Sequence, residues 1–169
     1  MMKVLISVCW LACLLSLYAP AVQSQVDLTE RTRTLTHQYY EHLSEINPAI
    51  SEFWADKILL FVNNDGPWGG DFKSRQSVTQ YYREMAAMFD LEEGVEFELL
   101  QTVVDGAMAA IRFRVKAQHV RGSYENHYMH VLTWNDDGKI TRIENFYGWE
   151  PFLALQRQAV QQREKGCSN

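Results

Sequence analysis

Residues able to do chemistry gather in one stretch of this chain, Tyr128 to Trp149, where a histidine and an asparagine are set among aromatic side chains. Two antiparallel strands fit the stretch, with Asn135-Asp136-Asp137-Gly138 as the turn and Gly138 supplying the positive φ that a tight hairpin needs. One face of that ribbon carries Tyr128, His130, Leu132 and Trp134, and the return strand adds Ile143, Asn145 and Tyr147. A face that only sealed a core would be aliphatic, because a buried polar group without a partner costs roughly 1–3 kcal/mol. One imidazole, one carboxamide and two phenols embedded in aromatic surface instead suit a ligand pocket. The plainer alternative is that His130 and Asn145 hydrogen-bond each other or the backbone.

In a pocket, a histidine near its unperturbed pKa of about 6.5 can remove a proton next to a carbonyl while phenols and a carboxamide hold the developing oxyanion. Between Tyr128 and Leu132 on a concave apolar face, desolvation should lower that pKa and leave the imidazole neutral. This chemistry calls for no cofactor. Metal binding is disfavoured as well: His37 and His42 lie five apart on a helix, about 500° of rotation, so they share no face. His127 and His130 straddle opposite faces of a strand.

The elements that must position these groups can be read in order. Leu28, Leu35, Tyr39, Leu43 and Ile46 recur on one face and predict a first helix from about Leu28 to Ile46, with Asp27 and Glu30 at capping-box spacing. Asn47-Pro48 restarts the chain into a short second helix bearing Ile50, Phe53 and Trp54. Ile58 to Val62 is a short apolar run with the character of a buried strand, followed by a loop through Trp68-Gly69-Gly70. A third helix is expected from about Ser74 to Phe89, carrying Val78, Tyr81, Tyr82, Met85 and Phe89. The period then falls from 3.6 to 2, giving strands over Val95 to Thr102 and Met108 to His119 before the final hairpin. In the second of these, Ile111, Phe113, Val115 and Ala117 share one face and Arg112, Arg114, Lys116 and Gln118 the other. The order predicts an α+β fold, a strongly bent antiparallel sheet wrapped around a long N-terminal helix.

Residues 1–24 read as a secretory signal: Lys3 gives the positive start, and Val4 to Ala19 is apolar apart from serines. No later run reaches the ~20 apolar residues of a spanning helix. The expected organisation is therefore a leader over 1–24, one domain over 25–152 and a polar tail over 153–169, exported to the periplasm or the extracellular space. The formal net charge is −5 and no cluster of Lys and Arg occurs, which argues against nucleic acid as a partner. Cys9 and Cys13 leave with the leader, so Cys167 alone remains and no internal disulfide can form.

At four places the chain resembles one superfamily: Tyr39-Tyr40 in the first helix, Phe53-Trp54-Ala55-Asp56 before the first strand, Arg75-Gln76-Ser77-Val78 opening the third helix, and Asp137-Gly138-Lys139-Ile140 with Phe146-Tyr147 in the last hairpin. Taken in that order and spacing, they are similar to the cone-shaped relatives of nuclear transport factor two, ketosteroid isomerase, scytalone dehydratase and the SnoaL-like polyketide cyclases. The resemblance covers roughly Leu28 to Pro151 and implies a cone enclosing a hydrophobic pocket. It implies Tyr39 as a donor to a substrate oxygen and His130 at the position of an acid-base group. It also puts the base of the steroid isomerases within Val62-Asn63-Asn64, where no carboxylate stands, so an authentic steroid isomerase is not expected.

The expected site thus comprises His130, Tyr39 and Asn145 as catalytic groups, with Tyr128, Leu132, Trp134, Tyr147, Phe113 and Asn63 as ligand-binding groups and no metal. Two functions follow from it. One is a cofactor-independent lyase, isomerase or cyclase acting on a small hydrophobic carbonyl compound; the other is a non-catalytic carrier of a small apolar ligand. A weak homodimer is the only macromolecular partnership expected, because Arg112, Arg114 and Lys116 make the outer sheet face polar.

Overall fold

The computed structural model describes residues 24–63, 68–119, 122–148 and 150–151. Residues 1–23 of the expected leader and the polar tail, with all three cysteines, lie outside the described residues. Helix α1 covers 24–44, so it contains Asp27 rather than being capped by it, and it stops short of Ile46. Tertiary contacts explain the earlier start. Thr29 Oγ1 accepts from the backbone N–H of Gly106 at 3.0 Å, and Gln25 and Leu28 approach the same glycine, so the opening turns of α1 dock on a sheet turn.

The helix ends without glycine. Ile46 takes a left-handed φ of 52°, while the N–H of Asn47 reaches back to the carbonyl of His42 at 2.9 Å. A β-branched residue is costly in this conformation. Asn47 then caps a 3₁₀ turn, Pro48–Phe53, accepting from the N–H of Ala49 at 3.0 Å. Trp54, expected in that helical piece, instead opens strand β1, Trp54–Asn63, because the sheet extends the apolar run backward by pairing Trp54 with Ile140.

A short strand β2, Gly70–Phe72, replaces part of the expected loop and pairs with β1, which satisfies the β1 edge. Helix α2 runs Arg75–Ala86, three residues shorter at its end than its periodicity suggests, and opens with a reciprocal Ser74–Ser77 capping box. Strands β3 (Val95–Asp105), β4 (Met108–His119), β5 (Gly122–Trp134) and β6 (Ile140–Tyr147) complete the sheet. Its order is β2-β1-β6-β5-β4-β3, antiparallel throughout except for β1 beside β6.

Register irregularities at Trp54/Leu59, Leu99/Gln101 and Thr133/Trp134 are the bulges that allow so long a sheet to curl. The result is the α+β cone: a curved, unclosed six-stranded sheet with the long N-terminal helix in its concavity. The alternation expected along β4, β5 and β6 holds. Ile111, Phe113, Val115, Tyr128, His130, Leu132, Trp134, Ile143, Asn145 and Tyr147 are all buried on the inner face.

Candidate functional site

Three elements bring the polar groups together. On β5, His130 sits between Tyr128 and Leu132; β6 places Asn145 directly opposite it, and β4 flanks it with Ile111. From the helical side, α1 lowers Tyr39 toward the imidazole and α2 contributes Tyr81 and Tyr82. A cavity of about 570 Å³ opens between α1, α2 and the sheet, and His130, Asn145, Tyr128, Phe113, Tyr82 and Trp54 are among its lining.

His130 is only 2% exposed. Burial drives its pKa from 6.5 down to about 3, against a smaller upward pull from Asn145. The phenols respond to the same desolvation in the opposite sense: Tyr39, Tyr81, Tyr82, Tyr124 and Tyr128 are all shifted upward, burial being the largest cause in each. At neutral pH the inner wall therefore holds a neutral imidazole among neutral phenols, while the exposed Arg83 brings a positive charge to the lining.

Hydrogen bonds among these groups form three rows, one of them linking Tyr128 to Tyr124 at 2.6 Å, where Asn126 Nδ2 donates to the Tyr124 hydroxyl at 2.9 Å. Tyr39 Oη lies 3.1 Å from Tyr82 Oη and 3.5 Å from His130 Nδ1. Asn145 Nδ2 donates to the Tyr81 hydroxyl at 3.2 Å. Phe113 meets His130 edge-on at 5.0 Å between ring centroids and stacks against Tyr128 at 5.4 Å, which fixes the imidazole plane. Trp54 stacks on Tyr82 at 5.3 Å. Asn145, directly across the strand pair from His130, also hydrogen-bonds the imidazole and is the source of the upward pull on its pKa. The buried Trp54 Nε1 of the cavity lining has no hydrogen-bond partner among the described residues, at a cost of roughly 1–3 kcal/mol.

Of the residues expected from sequence, His130, Asn145, Tyr128 and Phe113 line the cavity together. Tyr39 stands one layer behind, fully buried, and touches the site through its hydroxyl. Leu132 and Trp134 belong to the sealed end of the cone, where Trp134 packs edge-on against Phe53. Tyr147 packs beside Tyr128 on the neighbouring strand, with centroids 5.0 Å apart. Asn63 is exposed: it follows the buried Val62, and strand alternation turns it to the outer face, so the structure does not put it in the pocket.

Tyr82 and Trp54 escape the sequence reading of the site. A tyrosine doublet on an amphipathic helix looks like core, and only the packing of α2 across the cone mouth puts the second tyrosine on the wall. Among the described residues, no three His, Cys, Asp or Glu side chains converge as metal ligands.

With this geometry established, comparison with known proteins is informative. A profile of the SnoaL-like domain matches residues 36–143. Among solved structures, PrhC from Penicillium brasilianum NBRC 6234 is similar with a TM-score of 0.68 and 18% identity, covering 80% of this chain and 92% of that one. BvnE pinacolase from Penicillium brevicompactum gives a TM-score of 0.67 at 16% identity, over 79% of this chain and 94% of its own. A nuclear transport factor two-like protein from Anabaena variabilis ATCC 29413 gives 0.64 at 13% identity, over 71% and 91% respectively. These likenesses establish the fold. Among curated proteins, none matches.

Proposed function

The chain belongs to the SnoaL-like domain family, and from that premise we propose that it is a cofactor-independent lyase, isomerase or cyclase acting on a small, uncharged hydrophobic carbonyl compound. The observation that supports this most directly is the neutral imidazole of His130 on the wall of an aromatic cavity, hydrogen-bonded through Tyr39 to a second phenol. BvnE, a structure of the same fold, is a pinacolase, so this cone can house an enzyme.

Charge governs when His130 can take a proton. A lone imidazolium is expensive in this cavity, as the drop of its pKa to about 3 reflects. An oxyanion developing within about 4–6 Å would offset that cost by raising the imidazole pKa again. Proton transfer is therefore favoured only in step with charge development on a bound carbonyl compound, and the proton is returned before the ligand leaves. Phenols and the Asn145 carboxamide supply the donors for the oxyanion.

A second reading has its own support. The same low pKa makes His130 a weak base in the free protein, as suits a carrier that holds an uncharged ligand without turning it over. Native mass spectrometry of protein purified from its source identifies a copurifying ligand, and prolonged incubation then separates the readings. A ligand that is chemically unchanged, and that His130→Gln binds as tightly as wild type does, removes the enzyme reading.

The proposal includes export through residues 1–24, with the polar 153–169 as an appendage to the domain. It also includes no more than weak self-association. Val103, Met108 and Met129 are exposed on the outer sheet face, but charged Arg112 stands among them. Sedimentation at tens of micromolar should show dimer in exchange with monomer, and monomer alone removes self-association from the proposal.

A further inference from the structure

The row Tyr82–Tyr39–His130 constrains where its protons can lie. Tyr39 has one hydroxyl proton and two neighbours, Tyr82 Oη at 3.1 Å and His130 Nδ1 at 3.5 Å. Two proton orders satisfy the row. In the first, Tyr82 donates to Tyr39, Tyr39 donates to Nδ1, and the imidazole keeps its own proton on Nε2. In the second, Nδ1–H donates to Tyr39, Tyr39 donates to Tyr82, and the Tyr82 proton is free to turn into the cavity while Nε2 carries its lone pair and the Asn145 carboxamide, which faces His130 across the strand pair, presents its N–H rather than its oxygen to the ring. Both orders contain the same three protons: one on each phenol and one on the ring. They differ in hydroxyl rotation and in which ring nitrogen is protonated.

The two ends of the row are not equivalent. Tyr39 is fully buried and absent from the cavity wall, whereas Tyr82 is on the wall and half-buried, with its ring held by Trp54. We propose that Tyr82 is the phenol that meets a ligand oxygen, and that Tyr39 is a positioning residue through which contact at Tyr82 sets the tautomer of His130. A ligand carbonyl, which can only accept, selects the second order and leaves Nε2 unprotonated. A ligand hydroxyl that donates to Tyr82 selects the first and leaves the proton on Nε2. A ketone thereby arms the base that the proposed reaction needs, and an alcohol or phenol disarms it. This inference rests on the pocket reading above.

The test uses the ¹⁵N-labelled full chain and three probes of one size: 2-acetylnaphthalene as acceptor, 2-naphthol as donor, and naphthalene with neither group. Imidazole ¹⁵N shifts report the tautomer directly. The ketone should move His130 toward Nδ1–H and the naphthol toward Nε2–H, with naphthalene leaving the ratio of the free protein. Tyr82→Phe keeps the ring and its stacking. It should weaken the ketone about threefold to tenfold, leave naphthalene within twofold, and abolish the tautomer response. Tyr39→Phe should abolish the response while the ketone still binds. Persistence of the response in either variant overturns the proposal, and so does binding of both polar probes to the wild type without opposite movement of the tautomer. If none of the three probes binds the wild type, the pocket reading fails and takes this inference with it. Binding without a tautomer response sinks the inference alone.

Discussion

Two halves of the β5–β6 hairpin share one alternation and end in opposite environments. Toward the 135–138 turn, Leu132, Trp134, Ile140 and Ile143 are all but fully buried, and α1 closes over them: Arg31 donates to the carbonyl of Asp136 at 2.7 Å, and Arg31 and Leu35 press against Gly138. Toward the other end, Tyr128, His130 and Asn145 face a cavity. Apart from the bulge at Thr133/Trp134 near the turn, the strands keep one register through both halves; the larger difference is what lies above them. Helix α1 stops at residue 44 and the chain turns at the left-handed Ile46, so beyond His130 the cavity is bounded by the last turn of α1 at His42 and Leu43, by the 3₁₀ turn and by α2. The sealed half is held by packing and the hollow half by hydrogen bonds among neutral groups, so the two should respond to different perturbations.

The largest contrast should come from function. His130→Gln keeps size and hydrogen bonding but removes proton transfer, so under the proposed reaction turnover should fall by about 10²–10⁴ with ligand affinity little changed, as read by single-turnover kinetics beside equilibrium binding. In the sealed half the same scale of effect should appear in stability instead. Leu132→Ala removes a fully buried side chain where nothing can collapse to fill the space, and should cost about 2–5 kcal/mol by urea denaturation. Met85→Ala, on the cavity wall, borders space that is already open and should cost less than half as much. Equal costs would mean that the hollow half closes in solution.

Acid should strike the hollow half. In the unfolded chain His130 has its ordinary pKa of 6.5, and in the folded chain about 3, so below pH 6.5 the unfolded state binds the proton that the folded state refuses. Stability from this source is constant above pH 6.5 and declines as the pH falls toward 3, by about 1.4 kcal/mol per unit at most. Thermal melts of wild type and His130→Gln between pH 7 and 4 should diverge accordingly, the variant being the flatter. Parallel curves would show that the imidazole is solvated. The smallest expected effect is at Ser74, whose capping box starts the helix that roofs the cavity: Ser74→Ala should cost about 1 kcal/mol and loosen probe binding without touching the sealed half, as hydrogen exchange can map.

How much of this was legible beforehand varies by residue. Met108 to His119 was readable to the residue, because two-fold alternation persisted over its length. The start of α1 was misread because Asp27 mimics a cap. The true opening turns depend on Thr29 and Leu28 meeting Gly106, some eighty residues away in sequence, and no local pattern reports that meeting. Likewise β2 is three residues with no periodicity of its own, visible only once β1 offers an edge.

Within the site, alternation alone put Tyr128, His130 and Asn145 on one face, and desolvation alone gave the sign of the shift at His130. Sequence thus determined which residues share a face and what charge that face tolerates, since both follow from strand geometry and from solvation of the side chain itself. The tertiary structure decided which part of the face is hollow. That choice moved Leu132 and Trp134 into the core, turned Asn63 outward, set Tyr39 behind the wall and brought Tyr82 and Trp54 onto it, because a cavity is a property of where α1 ends and α2 crosses. No single strand or helix carries that information.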